Sequence, residues 1–198
     1  MSALYVFSVE QPEIPLEILN QTHDIKNTLS QANVEYDSWP LRDINSATEL
    51  QGKDLQEAVL NAYAEDVSFL KNREGYQTAD VIRLTTEHPD KLALRQKFLS
   101  EHVHSEDEVR FFVEGSGLFC INYENRIYQL LATAGDLVRL PAGTHHWFDM
   151  GSSPSFTCIR LFTDPAGWVA DFTQSAISKQ FPDLDHWKSS EHEKSENV

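Results

Sequence analysis

Between Val109 and Trp168 the apolar residues come in short runs, each soon ended by Gly, by Asn-Arg or by Pro-Ala-Gly. Five strands fit this stretch, at 109–113, 117–123, 126–131, 136–140 and 156–162. Strands so closely spaced imply an antiparallel barrel or sandwich rather than a βαβ fold. A barrel also provides a concave mouth of ligand size.

The residues that carry chemistry lie at the entrance to this region and at one turn inside it. Glu101 to Gly115 reads EHVHSEDEVRFFVEG, and Pro141 to Asp149 reads PAGTHHWFD. His102 and His104 are two apart and Glu108 follows four later, so on a strand all three share a face. His146 lies beyond a turn built on Pro141 and Gly143, and a hairpin or barrel sheet can bring it beside them. Imidazole with carboxylate suits a borderline first-row ion such as iron, nickel, manganese or zinc. His23, His88, His186 and His192 stand in polar surroundings and are read as solvated.

The rest of the chain reads as one domain over 1–180 with an N-terminal helical arm, followed by a polar, disordered tail at 181–198. Ala3 to Ser8 has the bias of a strand, and apolar spacing predicts helices over 16–32 and 54–72. A short strand at 80–84 and a proline-led helix at 89–98 lead into the histidine stretch. A last short helix is expected over 168–178.

Sixteen basic against thirty-one acidic residues give a net charge of -15, which repels a phosphate backbone and argues against nucleic acid or anionic membrane as partners. Cys120 and Cys158 sit in apolar runs without CxxC spacing, as buried free thiols do in a reducing cytoplasm. The N-terminal run ALYVF is too short for a membrane span, so the expected location is the cytoplasm. No Gly-x-Ser-x-Gly elbow is present, which disfavours a triad hydrolase.

The first stretch fits His-x-His-x3-Glu-x6-Gly through His102, His104, Glu108 and Gly115; the second fits Gly-x5-Pro-x-Gly-x2-His through Gly135, Pro141, Gly143 and His146. Together they resemble the two signature motifs of the cupin superfamily. The glycine that often precedes the first motif is replaced by Gln96, and the asparagine that often closes the second by Met150, both outside the ligand positions. HVHSEDEVRFFVEGSGLFC, PAGTHHWFDMG and FTCIRLFTDPAGWVADFT narrow the resemblance to the acireductone dioxygenase family, across nearly the whole chain except the tail.

The resemblance implies a mainly β fold with flanking helices: a cupin-type antiparallel β-barrel, the double-stranded β-helix or jelly roll. It implies one Fe2+ or Ni2+ per chain, held by His102, His104, Glu108 and His146 but not by His145. It also implies an acireductone of methionine salvage and O2 as substrates, a monomer, and roles for Glu101 and Asp107 in metal incorporation and ligand-loop conformation. Arg110 shares strand parity with the ligands between apolar neighbours, and Arg160 lies in an apolar run, so each requires an anionic partner. We expect both to serve catalysis, with Arg110 favouring a substrate dianion. Phe98, Phe148 and Trp168 are the candidates for an apolar wall around the methylthio tail, although such aromatics are more often core. Two other readings are another cupin metalloenzyme, a sugar isomerase or a different dioxygenase, which would keep the four ligands, and a non-catalytic cupin binding protein, which would have little need of the two arginines.

Overall fold

The computed structural model describes residues 1–44, 49–164 and 169–189. Its spine is one long strand, β6 (Glu108–Tyr123), in which residues facing alternate sides feed two different cores. The first half pairs with β10 (Phe156–Phe162) and β8 (Asp136–Leu140), the second with β7 (Arg126–Thr133) and β9 (His146–Asp149). β6 changes sheets at Gly115, whose φ of +73° suits glycine and whose added Cβ would lie 1.8 Å from the Ser155 carbonyl oxygen. The strands expected at 109–113 and 117–123 are therefore one strand bent at a corner, because the glycine turns the chain without ending its pairing.

All pairings among the described residues are antiparallel. One sheet adds β4 (Thr78–Leu84) outside β10 and β3 (Glu35–Ser38) outside β8. The other runs β11 (Asp171–Phe172), β5 (His102–Val103), β9, β6, β7, β1 (Ala3–Ser8) and β2 (Glu17–Leu19). This is the mainly β barrel with flanking helices that the sequence predicts. Phe112, Phe119, Tyr128, Val138, Phe148 and Phe156 fill the space between the sheets. Burying a side chain of this size contributes about 2–3 kcal/mol, so period-2 alternation of such residues fixes the register.

The expected long helix at 54–72 is two, α2 (Gly52–Ala62) and α3 (Ala64–Glu74), with the break at Tyr63. Their apolar faces, led by Leu55, Val59, Val67 and Leu70, cover the outer side of Val109, Phe111 and Val113, so they are part of the domain core rather than an arm. Residues 16–32 begin as β2 and continue as α1 (Thr22–Gln31), with Ile25 and Leu29 inward. α4 (Lys91–Leu99) packs beside β9.

The tail boundary expected at 180 is too early. Residues 184–189 are helical, and Phe181, Leu184 and Trp187 are buried against the outer face of Tyr5, Phe7, Cys120 and Trp147. Trp187 stacks on Tyr5 at 3.7 Å and donates its indole N–H to buried Gln129 at 3.0 Å. The helix expected over 168–178 is instead β11 and a 3-10 turn at Ile177–Gln180; its first residue, Trp168, lies outside the described residues. The carboxylate of Asp149 ties this C-terminal segment down. It accepts from Arg95 at 2.7 and 3.0 Å, from Gly151 N–H at 2.9 Å and from Leu184 N–H at 2.8 Å. Asp149→Asn replaces an anion by an amide that cannot accept all four. It is expected to lower stability by about 2–3 kcal/mol, visible as a fall in melting temperature by calorimetry.

Candidate metal centre

Four short pieces of chain meet at one end of the barrel. β5 places His102, the loop after it His104, the first residue of β6 Glu108 and the first residue of β9 His146. β5 and β9 pair at a single register point, His102 opposite His146, which sets two imidazoles side by side with ring centroids 4.4 Å apart. His104 stands 5.0 Å from His102 and 5.3 Å from His146 by the same measure. One ligand atom from each of the four residues lies within 4.8 Å of the others, and all four side chains are buried.

The outward nitrogens fix which ring nitrogen faces the centre. His102 Nδ1 donates to Ser100 O at 2.7 Å, His146 Nδ1 to Thr144 O at 2.8 Å and His104 Nδ1 to Val169 O at 3.3 Å. With those protons committed, each Nε2 presents a lone pair. His146 Nε2 lies 2.8 Å and His104 Nε2 3.5 Å from Glu108 Oε2. Three imidazole nitrogens and a carboxylate oxygen converging at these distances are a donor set that fits a divalent ion.

Protonation follows from the surroundings. Burial, then the neighbouring His146, push His102 down to about 4, so it is neutral and ready to ligate near pH 7. Burial alone would raise the Glu108 carboxyl. The Arg110 guanidinium, the largest opposing influence, counters it, and Glu108 is held well below the usual carboxylate range. Arg110 Nε lies 2.7 Å from Glu108 Oε1 as an ion pair, without the alignment of a hydrogen bond. Its guanidinium carbon sits 4.6 Å over the Phe148 ring and 5.5 Å from that of Phe119. The anionic partner that Arg110 requires is thus Glu108, one of the four clustered side chains.

Arg160 faces Arg110 across the β6–β10 pair, but its guanidinium is held by Asp80 at 2.8 and 2.6 Å on the neighbouring strand. Glu101 is buried and accepts from Asn122 at 2.8 Å and from Thr173 at 2.6 Å; its Oε2 is 3.6 Å from His145 Nδ1. His145, half exposed, therefore turns away from the ligands, as adjacent strand residues do. Asp107 accepts from Arg139 at 2.9 Å and from Ala142 N–H at 3.0 Å, which fastens the turn before His146 to the ligand loop. Phe148 is fully buried and forms the platform under Arg110, while Phe98 packs from α4 against the barrel interior.

Residues that the sequence did not single out complete the surroundings. The carbonyls of Ser100, Thr144 and Val169 anchor the three rings, and the Phe172 ring stands 5.8 Å from His102. A backbone acceptor leaves no mark in residue type. Phe172 fell within a segment read as helix, where strand parity with His102 is invisible.

A family model described as the ARD/ARD′ family matches residues 11–170. The chain is 49% identical over 182 residues to the acireductone dioxygenase of Marinobacter nauticus, covering 92% of this chain and 95% of that one. It is 47% identical over 185 residues to that of Pseudomonas fluorescens, covering 93% and 99%. A solved structure, acireductone dioxygenase from Bacillus anthracis with cadmium ion in its active center, matches with a TM-score of 0.75 at 24% identity. That match covers 87% of this chain and 98% of the other, and it shows a common fold.

Proposed function

The chain belongs to the acireductone dioxygenase family, a family of metal-dependent enzymes, and from that membership we propose how its site divides the work. The substrate is 1,2-dihydroxy-3-keto-5-methylthiopentene, an acireductone of methionine salvage, and the co-substrate is O2. His102, His104, Glu108 and His146 would hold one iron or nickel ion. When bound, that ion supplies Lewis acidity to the two enediol oxygens.

The observation that carries the reading is Arg110, buried and placed against the ligand Glu108. A divalent ion, the Glu108 carboxylate and the Arg110 guanidinium together leave two positive charges, which match an enediolate dianion. Without the guanidinium the site would match a monoanion. Arg110 thus favours loss of the second enediol proton, and the Phe148 and Phe119 faces hold its guanidinium plane in place. The Nδ1 anchors orient all three imidazoles with Nε2 toward the centre. Arg160, its charge matched by Asp80, adds little net charge to the site. Glu101 and Asp107 hold the ligand-bearing segments in register, and Phe98 and Phe148 are proposed to line the methylthio end. A net charge of -15 suits a cytoplasmic monomer that acts on a small molecule without a nucleic-acid partner. Among the described residues no helix is long and apolar enough to cross a membrane.

Two product sets follow from the identity of the ion. Iron-loaded protein is expected to give 4-methylthio-2-oxobutanoate and formate; nickel-loaded protein, 3-methylthiopropanoate, formate and carbon monoxide. Anaerobic reconstitution with each ion separately, then aeration with one acireductone and product analysis, checks this. Absence of oxygen uptake by the iron-loaded protein would move the reading to a cupin isomerase.

A further inference from the structure

His104 is anchored differently from the other two histidines. His102 and His146 each donate Nδ1–H to a carbonyl two residues earlier in their own segment, Ser100 and Thr144. Such an acceptor moves with the ring it orients. His104 instead donates to Val169, sixty-five residues away. Its orientation therefore depends on whether the 169–173 strap stays seated beside β5.

Two residue pairs, Asp171 with Val103 and Phe172 with His102, are a weak hold for that strap. Asp171 and Phe172 are themselves exposed, so little apolar burial secures them. The strap is pinned at its far end. Thr173 N–H donates to the Glu101 carbonyl at 3.1 Å, and Thr173 Oγ1 donates to Glu101 Oε2 at 2.6 Å. The same hydroxyl oxygen accepts from Ser175 N–H at 3.3 Å, and Gln174 takes a φ of +61° where the chain turns away. Glu101 is itself buried and held, because Asn122 of β6 donates to its other oxygen at 2.8 Å. A hydroxyl bonded to a fixed, buried carboxylate is a strong pin.

We infer that Thr173 is a positioning residue for the metal centre: by holding Glu101 it keeps the strap on β5, where Val169 supplies the carbonyl that orients His104. The inference rests on the proposed function only in requiring a metal at the four ligands, and its test uses no acireductone. Its failure and a failure of the substrate assignment are therefore separable.

The comparison is of Thr173→Val, which keeps shape but removes the hydroxyl, with Thr173→Ser, which keeps the hydroxyl. Nickel(II) affinity is read by chelator competition. In cobalt(II)-loaded protein, the three paramagnetically shifted imidazole N–H protons are followed by NMR, with thermal melting as the check on folding. Thr173→Val is expected to lose about tenfold in nickel affinity, in the range of lost outer hydrogen bonds. One of the three N–H protons, that of His104, should exchange faster with solvent while the other two are unchanged. Thr173→Ser should stay within about twofold of the parent and keep all three signals. Unchanged affinity and exchange in Thr173→Val would overturn the inference. So would equal losses in both variants, or all three protons exchanging faster together, since either assigns Thr173 to general packing.

Discussion

Glu108→Gln is expected to cost the protein its metal and, with it, all turnover. One oxygen of the Glu108 carboxylate meets His146 Nε2 at 2.8 Å, and the other meets Arg110 Nε at 2.7 Å. Glutamine occupies nearly the same volume, so shape is preserved and charge is the variable. Its amide offers one acceptor; if that oxygen faces the histidines, the NH2 group is turned toward the Arg110 N–H, donor against donor. The affinity for nickel(II) should fall by well over a hundredfold, beyond what loss of an outer-sphere partner costs. Stability should fall too. Arg110 is buried, and removing the partner of a buried ion pair costs about 3–5 kcal/mol. Chelator-competition titration and thermal melting of the metal-free protein read the two effects separately. Retention of stoichiometric nickel by Glu108→Gln under chelator would remove Glu108 from the ligand set.

That Glu108 and the three histidines form one cluster was legible because the pattern is local. His102, His104 and Glu108 fall within seven residues, although the shared strand face expected for them is not formed, since His102 lies on β5, His104 in the loop after it and Glu108 at the start of β6. The turn at Pro141 and Gly143 delivers His146 to the start of β9. The strands at 136–140 and 156–162 were legible for the same reason: each is a short, mostly apolar run bounded by turn residues and buried over most of its length. What escaped depends on distant partners. β3 reads EYDS, with only Tyr36 turned inward, and it is a strand because β8 offers it an edge. β9 is four residues long and merges in sequence with the turn before it. The apolar residues Phe181, Leu184 and Trp187 are spaced among polar ones, so the segment reads as a tail until the outer face of Tyr5 and Phe7 is there to cover. Arg160 shows the limit at a single residue. The sequence correctly requires an anion for it, but only the register of β4 against β10 reveals that the anion is Asp80.

Arg110→Ala separates the charge of the site from its metal, which Glu108→Gln cannot. The four ligand atoms do not include the guanidinium, so metal content should be unchanged. The carboxylate of Glu108 loses a competing positive neighbour and becomes, if anything, a better donor. Turnover with an acireductone should nevertheless fall by about 10²–10³, as when one preorganised donor to a developing anion is removed. The pH dependence supplies the specific signature. A positive charge beside the substrate favours its dianion; without it the second enediol proton is held more tightly and its pKa rises. The rising limb of the kcat/KM profile should therefore move to higher pH, and part of the lost rate should return in alkaline buffer. Arg110→Lys restores the charge, but neither the planar stacking on Phe148 nor the forked donor set, and should recover the pH profile more than the rate. Loss of metal from Arg110→Ala with unchanged turnover per bound ion would make Arg110 a support for Glu108 alone. An unshifted profile with full metal would mean that the second proton leaves without its help.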